Sequence, residues 1–312
     1  MSRTTSTFLI AALASLAVAG TPAWAGTIDQ QQTLQFQASG GVGLFPDGQN
    51  FSRAQTFTAG RSGYLDQVDL ALGIGKNQAV PTTPLTIEVR NASGGVPGST
   101  VLATASVAGT SVAIPGDVEF RPIPLAAAPA VTAGTQYAIV AYADAPVGYN
   151  WVARLNNPYP GGDSLFNRSL PWSTWRVESD FGIPRDRLFK TYVAPWNFTG
   201  FFSPVNNPGD PAGSNSVKAG ASVPVKFSLG GSQGLDVLAD GYPKLAFTAC
   251  NPQDAPDPVE ETSTSNSGLK YDAASDTYSY VWKTKKSWKG RCGTFTLKLD
   301  DASVHTADFQ FK

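Results

Sequence analysis

A serine next to an aspartate, in Gly162-Asp163-Ser164-Leu165, is the first residue of this 312-residue chain whose type suggests chemistry. A serine becomes a nucleophile only when a neighbouring base takes its proton. The one histidine, His305, stands far along the chain, four residues after Asp301. Two cysteines, Cys250 and Cys292, and that single histidine are too few ligands for a zinc or other transition-metal site. Calcium needs only oxygen ligands, and Asp144, Asp163 and Asp180 are the loop acids that a structural calcium would use. No other cofactor is expected. A glycosidase pair would need two carboxylates converging in a cleft, which a charged fraction of 15% does not favour. The densest recognition chemistry runs from Gly148 to Trp175, where Tyr149, Trp151, Tyr159, Trp172 and Trp175 alternate with Asn, Arg and Asp. Aromatic faces ringed by polar groups hold sugars, so these five residues are the candidate ligand platform. Trp172 follows Pro171 in a turn-like stretch and is the one expected to stand exposed. The competing reading makes Trp151 and Trp175 core residues on strands.

The elements that must position these residues are strands. "AQTFTAG", "YLDQVDLAL", "LTIEVRN", "VEFRPIPL", "QYAIVAY" and "RLFKTYV" show period-two alternation and are separated by turn clusters such as "GRSG" and "SGGVPGS". That spacing leaves no room for the helices of a parallel βαβ repeat. Further along, "SVPVKFSL" puts Val223, Val225, Phe227 and Leu229 on one face and Pro224, Lys226 and Ser228 on the other. Proline has no amide proton for a central ladder, so Pro224 and Lys226 are expected to guard an edge. "TYSYVWK" and "TFTLKLD" place Tyr278, Tyr280, Trp282, Phe295, Leu297 and Leu299 in a core. His305 shares parity with Ala307, Phe309 and Phe311, which makes it a packing residue at the rim. The cation-rich "KTKKSWKGR", Lys283 to Arg291, is expected to be a solvated turn carrying Trp288, the alternative being that its five cations dock on an anionic wall polymer.

The chain divides by composition. Ten of the twelve basic residues up to Lys190 are arginine, and ten of the eleven from Lys218 onward are lysine. A Pro/Asn/Gly-rich stretch lies between them, and the junction is placed at about Ala194 because Trp196, Phe198, Phe201 and Phe202 are too apolar to be left in water. At the start, Arg3 precedes the apolar run "FLIAALASLAVAG", and Ala23 and Ala25 bracket Trp24 as in a signal-peptidase site. The expected organisation is a signal peptide over 1–25, a jelly-roll-like β-sandwich over 26–193 and a smaller immunoglobulin-like β-sandwich over 194–312. No later apolar run is long enough for a membrane-spanning helix. Export to an oxidising compartment predicts a Cys250–Cys292 disulfide. A formal net charge of −1 provides no basic field for nucleic acid, and none is expected as a partner.

Two resemblances add to this reading. "QTFTAG", "LDQVDLALG", "LTIEVRNASGGVPGS" and "VTAGTQYAIVAYAD" resemble the bacterial secreted β-sandwich modules of the choice-of-anchor type. Pro224-Val225-Lys226-Phe227, with "NFTGFFSPVNNP", "GLKYDAASDTYSYVWKTKKSWKGRC" and "FTLKLDDASVHTADFQFK" in the same order, resembles the PxKF domain family across nearly all of Trp196 to Lys312. That second resemblance implies a small extracellular module appended to secreted or surface proteins, and it brings no activity or ligand. The Gly162–Leu165 letters match the GDSL hydrolase motif, but that motif belongs near the start of an α/β domain and before a late Asp-x-x-His. The expectation is therefore a secreted, non-catalytic structural or interaction module. Its alternative partner is an extracellular glycan or cell-wall polymer bound by the first domain, and a secreted hydrolase ranks third.

Overall fold

The computed structural model describes residues 26–45, 48–76, 78–112, 118–144, 148–156, 158–168, 174–182, 184–211, 213–250, 260–262 and 268–312. The expected signal segment, residues 1–25, lies outside the described residues. The protein is all-β. Its described helical turns are the short 3-10 pieces Gly109–Ser111, Glu178–Phe181 and Lys286–Trp288, and none is long or apolar enough to cross a membrane.

Strand follows strand because apolar residues recur at every second position. In Leu85–Ser93 the alternate residues Leu85, Ile87 and Val89 are buried, while Asn50–Thr58 buries both faces, with Ala54 on one and Phe57 on the other. Two sheet layers result. In one, Gly63–Ile74 is flanked by Phe189–Ala194 and Val118–Pro124, with Thr27–Gln32 beyond Phe189–Ala194. In the other, Asn50–Thr58, Gln136–Tyr142, Leu85–Ser93 and Val96–Val107 lie in that order, with Ser164–Asn167 on the far side of Asn50–Thr58. The short strand Tyr149–Trp151 pairs with both Gly63–Ile74 and Gly41–Leu44, and Gly41–Leu44 pairs with Asn50–Thr58, so the layers are stitched at one corner. Val68, Leu70, Leu72, Ile87, Ile139, Phe57, Phe189 and Trp151 fill the space between them.

Val96–Val107 is a strand that alternation did not reveal. "SGGVPGS" reads as a turn, and only its first half is one. Gly94 and Gly95 have φ of +61° and +79°, which is the two-residue hairpin loop that glycine pairs favour, and the return strand starts at once with Val96 opposite Ser93.

After Ala194 a second sandwich begins. Phe201–Phe202, Ser222–Phe227, Thr277–Lys283 and Lys270–Asp272 form a four-stranded antiparallel sheet. Facing it is a five-stranded sheet in the order Asn215–Val217, Val304–Phe311, Cys292–Lys298, Lys244–Thr248, Glu260–Thr262, whose first pair is parallel. The expected core residues Tyr278, Tyr280, Trp282, Phe295, Leu297 and Leu299 are all buried. Trp282 is the centre, with its ring 4.7 Å from Phe295 and 5.0 Å from Phe309. Trp288 corrects the sequence reading in one respect: it sits in a turn, yet its ring is buried 5.2 Å from Phe311 and is not solvated with its lysine neighbours.

Candidate functional site

The sequence places five aromatic residues on a ligand platform, and the structure puts three of them in the core. Tyr149 and Trp151 belong to the stitching strand, where alternation turns both rings between the layers. The Trp151 indole is fully buried and its Nε1–H donates to the Leu188 carbonyl at 2.9 Å, while the Tyr149 hydroxyl donates to the Thr83 carbonyl at 2.8 Å. Tyr159 is also buried, edge-on to Phe189, with its hydroxyl donating to Gln30 Oε1. Their polar tips are satisfied inside the protein, which is how a buried Tyr or Trp is stabilised, and their faces are not available to a sugar. Trp175 is half-buried against a cluster containing Ala54, Val140 and Leu165. Trp172 lies outside the described residues.

Ser164 starts the strand that pairs with Gln55, and it is buried. Its Oγ accepts from Arg187 Nε at 3.0 Å, a cation where a nucleophile would need a base. His305 sits in the second sandwich, its ring stacked 3.5 Å from that of Phe198 as a rim packing residue. Among the described residues no group of three His, Cys, Asp or Glu side chains could hold a metal. Of the three loop acids, Asp144 accepts from Asn50 and the Asp163 carbonyl accepts from Thr56 N, while the Asp180 side chain is not described.

Arg187 is the hub of a buried charge network that the sequence did not reveal. The whole guanidinium is inside the protein, donating to the Trp151 carbonyl at 2.7 Å, to Ser164 and to Glu178 Oε1. Glu178 also pairs with Arg53 at 2.7 Å and with Arg185 at 3.1 Å. Burial pushes the Glu178 carboxyl up, but Arg187, Arg53 and Arg185 outweigh it and hold the group below the usual carboxylate range. Burial lowers the Arg53 guanidinium to about 9, so it remains charged at neutral pH. Next to the hub, Gln55 accepts from Arg187 N at 2.7 Å and donates to Asp186, which also accepts from Tyr159 N at 2.9 Å.

Outside this network lies an open cleft of about 200 Å³ lined by Phe51, Arg53, Phe166, Arg168, Glu178 and Arg185. Phe51 and Phe166 stack with centroids 6.4 Å apart, and the guanidiniums of Arg53 and Arg168 lie 5.2 to 5.6 Å from both rings. Its described lining therefore sets three guanidiniums against one carboxylate that already serves the buried Arg187. Planar guanidinium forks match carboxylate and phosphate, and the half-buried Phe51 leaves ring surface beside them for the apolar part of a ligand, while Phe166 is buried and backs it. The sequence signal for this cleft was the arginine bias of the first half, which marks a domain change and says nothing of which arginines meet.

In the second sandwich, Val223, Val225 and Phe227 are buried and Pro224 and Lys226 face outward. Ser222–Phe227 pairs along its length with Thr277–Lys283, but Phe201–Phe202 covers its other side only at Lys226 and Phe227. Pro224 thus lies where that side is uncovered. Cys250 and Cys292 form a disulfide beside the Thr248–Cys292 pair of the five-stranded sheet. No protein-family model matches the chain, and no curated protein is similar to it.

Proposed function

We propose that the protein is an exported, non-catalytic interaction module and that its first sandwich holds an acidic glycan or wall polymer in the arginine–phenylalanine cleft. The observation that carries this reading is the cation excess of a solvent-open cleft walled by two stacked rings. Phe166 and Arg168 come from the same Gly148–Trp175 segment whose composition suggested sugar recognition, so recognition shifts from the tyrosines and tryptophans of that segment to its neighbours in space. A non-catalytic role is supported by the burial of Ser164 and by its hydrogen bond to a guanidinium. A secreted or surface location rests on the leader-like first 25 residues and on the resemblance of the second half to PxKF modules.

The test is retention of the full chain on a panel of immobilised polysaccharides, acidic and neutral. Acidic polymers are expected to retain it in a salt-sensitive manner. Arg168→Ala, at an exposed position, is expected to weaken that retention while unfolding stability changes by no more than about 0.5 kcal/mol. Retention that is absent, or unchanged in Arg168→Ala, removes the cleft from the account.

A further inference from the structure

The second sandwich carries a separate recognition surface on the outward face of its four-stranded sheet. Ser279 pairs with Lys226 on one neighbouring strand and with Lys270 on the other. Phe202 pairs with Lys226 from the outer strand. One row across four strands therefore reads Phe202, Lys226, Ser279, Lys270, while the alternating residues Val225, Tyr278 and Tyr280 point into the core. With strands ~4.8 Å apart, the two lysines stand two steps or ~10 Å apart along the row, with a hydroxyl between them. The row floors an open groove of about 590 Å³, whose walls add Tyr271, Ser275 and Thr277.

Cations outnumber carboxylates in the described lining of this groove. Neither Lys226 nor Lys270 takes part in an ion pair among the described residues. Asp272 is the one carboxylate in the described lining, and it is turned into its own bend, accepting from Ala274 N at 3.0 Å and Ser275 Oγ at 2.8 Å. Asp276 nearby is engaged by Ser228, Gly231 and Tyr271. Along Thr277–Lys283 the same alternation brings exposed Val281 and then Lys283 to this face, and the exposed Lys285, Lys286 and Lys289 follow at the turn. The cations form a stripe that starts in the groove and leaves it along one strand.

We infer that this face binds a linear acidic polysaccharide whose anionic groups are separated by neutral, hydroxyl-bearing units. Lysine is a compact point charge that accepts an oxyanion of any geometry. Ser275 and Thr277 offer hydroxyl oxygens that can accept from sugar hydroxyls, Ser279 offers a hydroxyl between the lysines, and the half-buried Phe202 offers ring surface to the sugar's C–H face. The hydroxyls and ring surface beside the ammoniums suit sugar units, whereas duplex DNA, with about one charge per 1.7 Å of axis, is met chiefly by dense cations on its phosphates. This site does not depend on the arginine cleft and lies in the other sandwich.

The test is binding of the full chain to immobilised hyaluronan, which has a carboxylate on alternate sugars, to chondroitin sulfate, to neutral dextran and to a duplex DNA oligonucleotide. Hyaluronan and chondroitin sulfate are expected to retain the protein, and the ratio between them separates carboxylate from sulfate preference. Lys226→Glu/Lys270→Glu is expected to weaken retention about tenfold or more with an unchanged melting temperature. Lys226→Arg/Lys270→Arg, which keeps the charges, is expected to restore it. Arg168→Ala is expected to leave the part of the retention that depends on these lysines intact. The inference is overturned if the charge-reversed variant binds like the parent, if DNA is retained as strongly as the polysaccharides, or if only Arg168→Ala reduces binding.

Discussion

Asp186 is fully buried, and its carboxylate accepts from Gln55 Nε2 at 3.2 Å and from Tyr159 N at 2.9 Å. Burial pushes its pKa up to about 6, and the hydrogen bonds from Tyr159 and Gln55 offset only part of that. A folded-state pKa above the unfolded value of about 3.9 means that the native state binds the proton more tightly. The resulting stabilisation is complete below about pH 4 and is lost as pH rises through about 6, by an amount on the order of 3 kcal/mol. Urea unfolding of the parent and of Asp186→Asn across pH 4 to 7 checks this. The parent should lose stability relative to the variant as pH rises, and parallel curves would assign the pH dependence elsewhere. Nothing in the sequence marks Asp186, Gln55 or Arg187 as partners. They are brought together by the pairing of Ala153–Leu155 with Arg185–Arg187 and by Ser164 lying opposite Gln55, and both are long-range registers. Ser164 was visible as a motif, but its neighbour was not, and the neighbour decides what the hydroxyl does.

At the level of the strand, legibility followed alternation. Gly63–Ile74, Leu85–Ser93, Gln136–Tyr142, Ser222–Phe227 and Thr277–Lys283 were all apparent because at least one face of each is apolar. Tyr149–Trp151 is too short for a period to register, and it is the strand that decides whether its aromatic rings face solvent or core. The disulfide is an element-scale feature as well. It joins Cys250, just past Lys244–Thr248, to Cys292 at the start of the adjacent strand, across a sequence separation of 42 that contains two strands of the opposite sheet. Closing a loop of that size is worth about 4 kcal/mol in the chain-entropy model. Denatured, unreduced protein should therefore show no titratable thiol, and reduction should lower the melting of the second sandwich while leaving that of the first in place. Free thiols before reduction, or no shift after it, would count against this role.

Across the whole molecule, the two cores are separate but their junction is short. Phe189–Ala194 is the last strand of the first sandwich, and two residues later Trp196 is already buried in the second, its backbone N–H donating to Asp301 at 2.6 Å. The start of Gly63–Ile74 meets the second sandwich from the other side. Ser62 Oγ donates to Asp300 at 2.5 Å, the Tyr64 hydroxyl accepts from Gln233 Nε2 at 2.6 Å, and the Tyr64 ring packs on the second core. Two polar ties, Ser62 to Asp300 and Gln233 to Tyr64, and a shared ring cross the junction and are expected to restrict rotation about Pro195, so that the arginine cleft and the lysine groove keep a fixed relation, as two contact points on one extended polymer require. Each sandwich encloses its own core, so fragments 26–194 and 195–312 should each unfold cooperatively. The contacts across the junction should make the second sandwich more stable in the intact chain than alone. Tyr64→Ala removes the packed ring and one hydrogen bond together and is expected to reduce that difference by about 1 to 3 kcal/mol, read by chemical denaturation of intact protein and fragment side by side. If the fragment 195–312 is as stable as it is within the chain, and Tyr64→Ala changes nothing, the sandwiches are tethered without being coupled, and the fixed spacing of the two surfaces falls with that result.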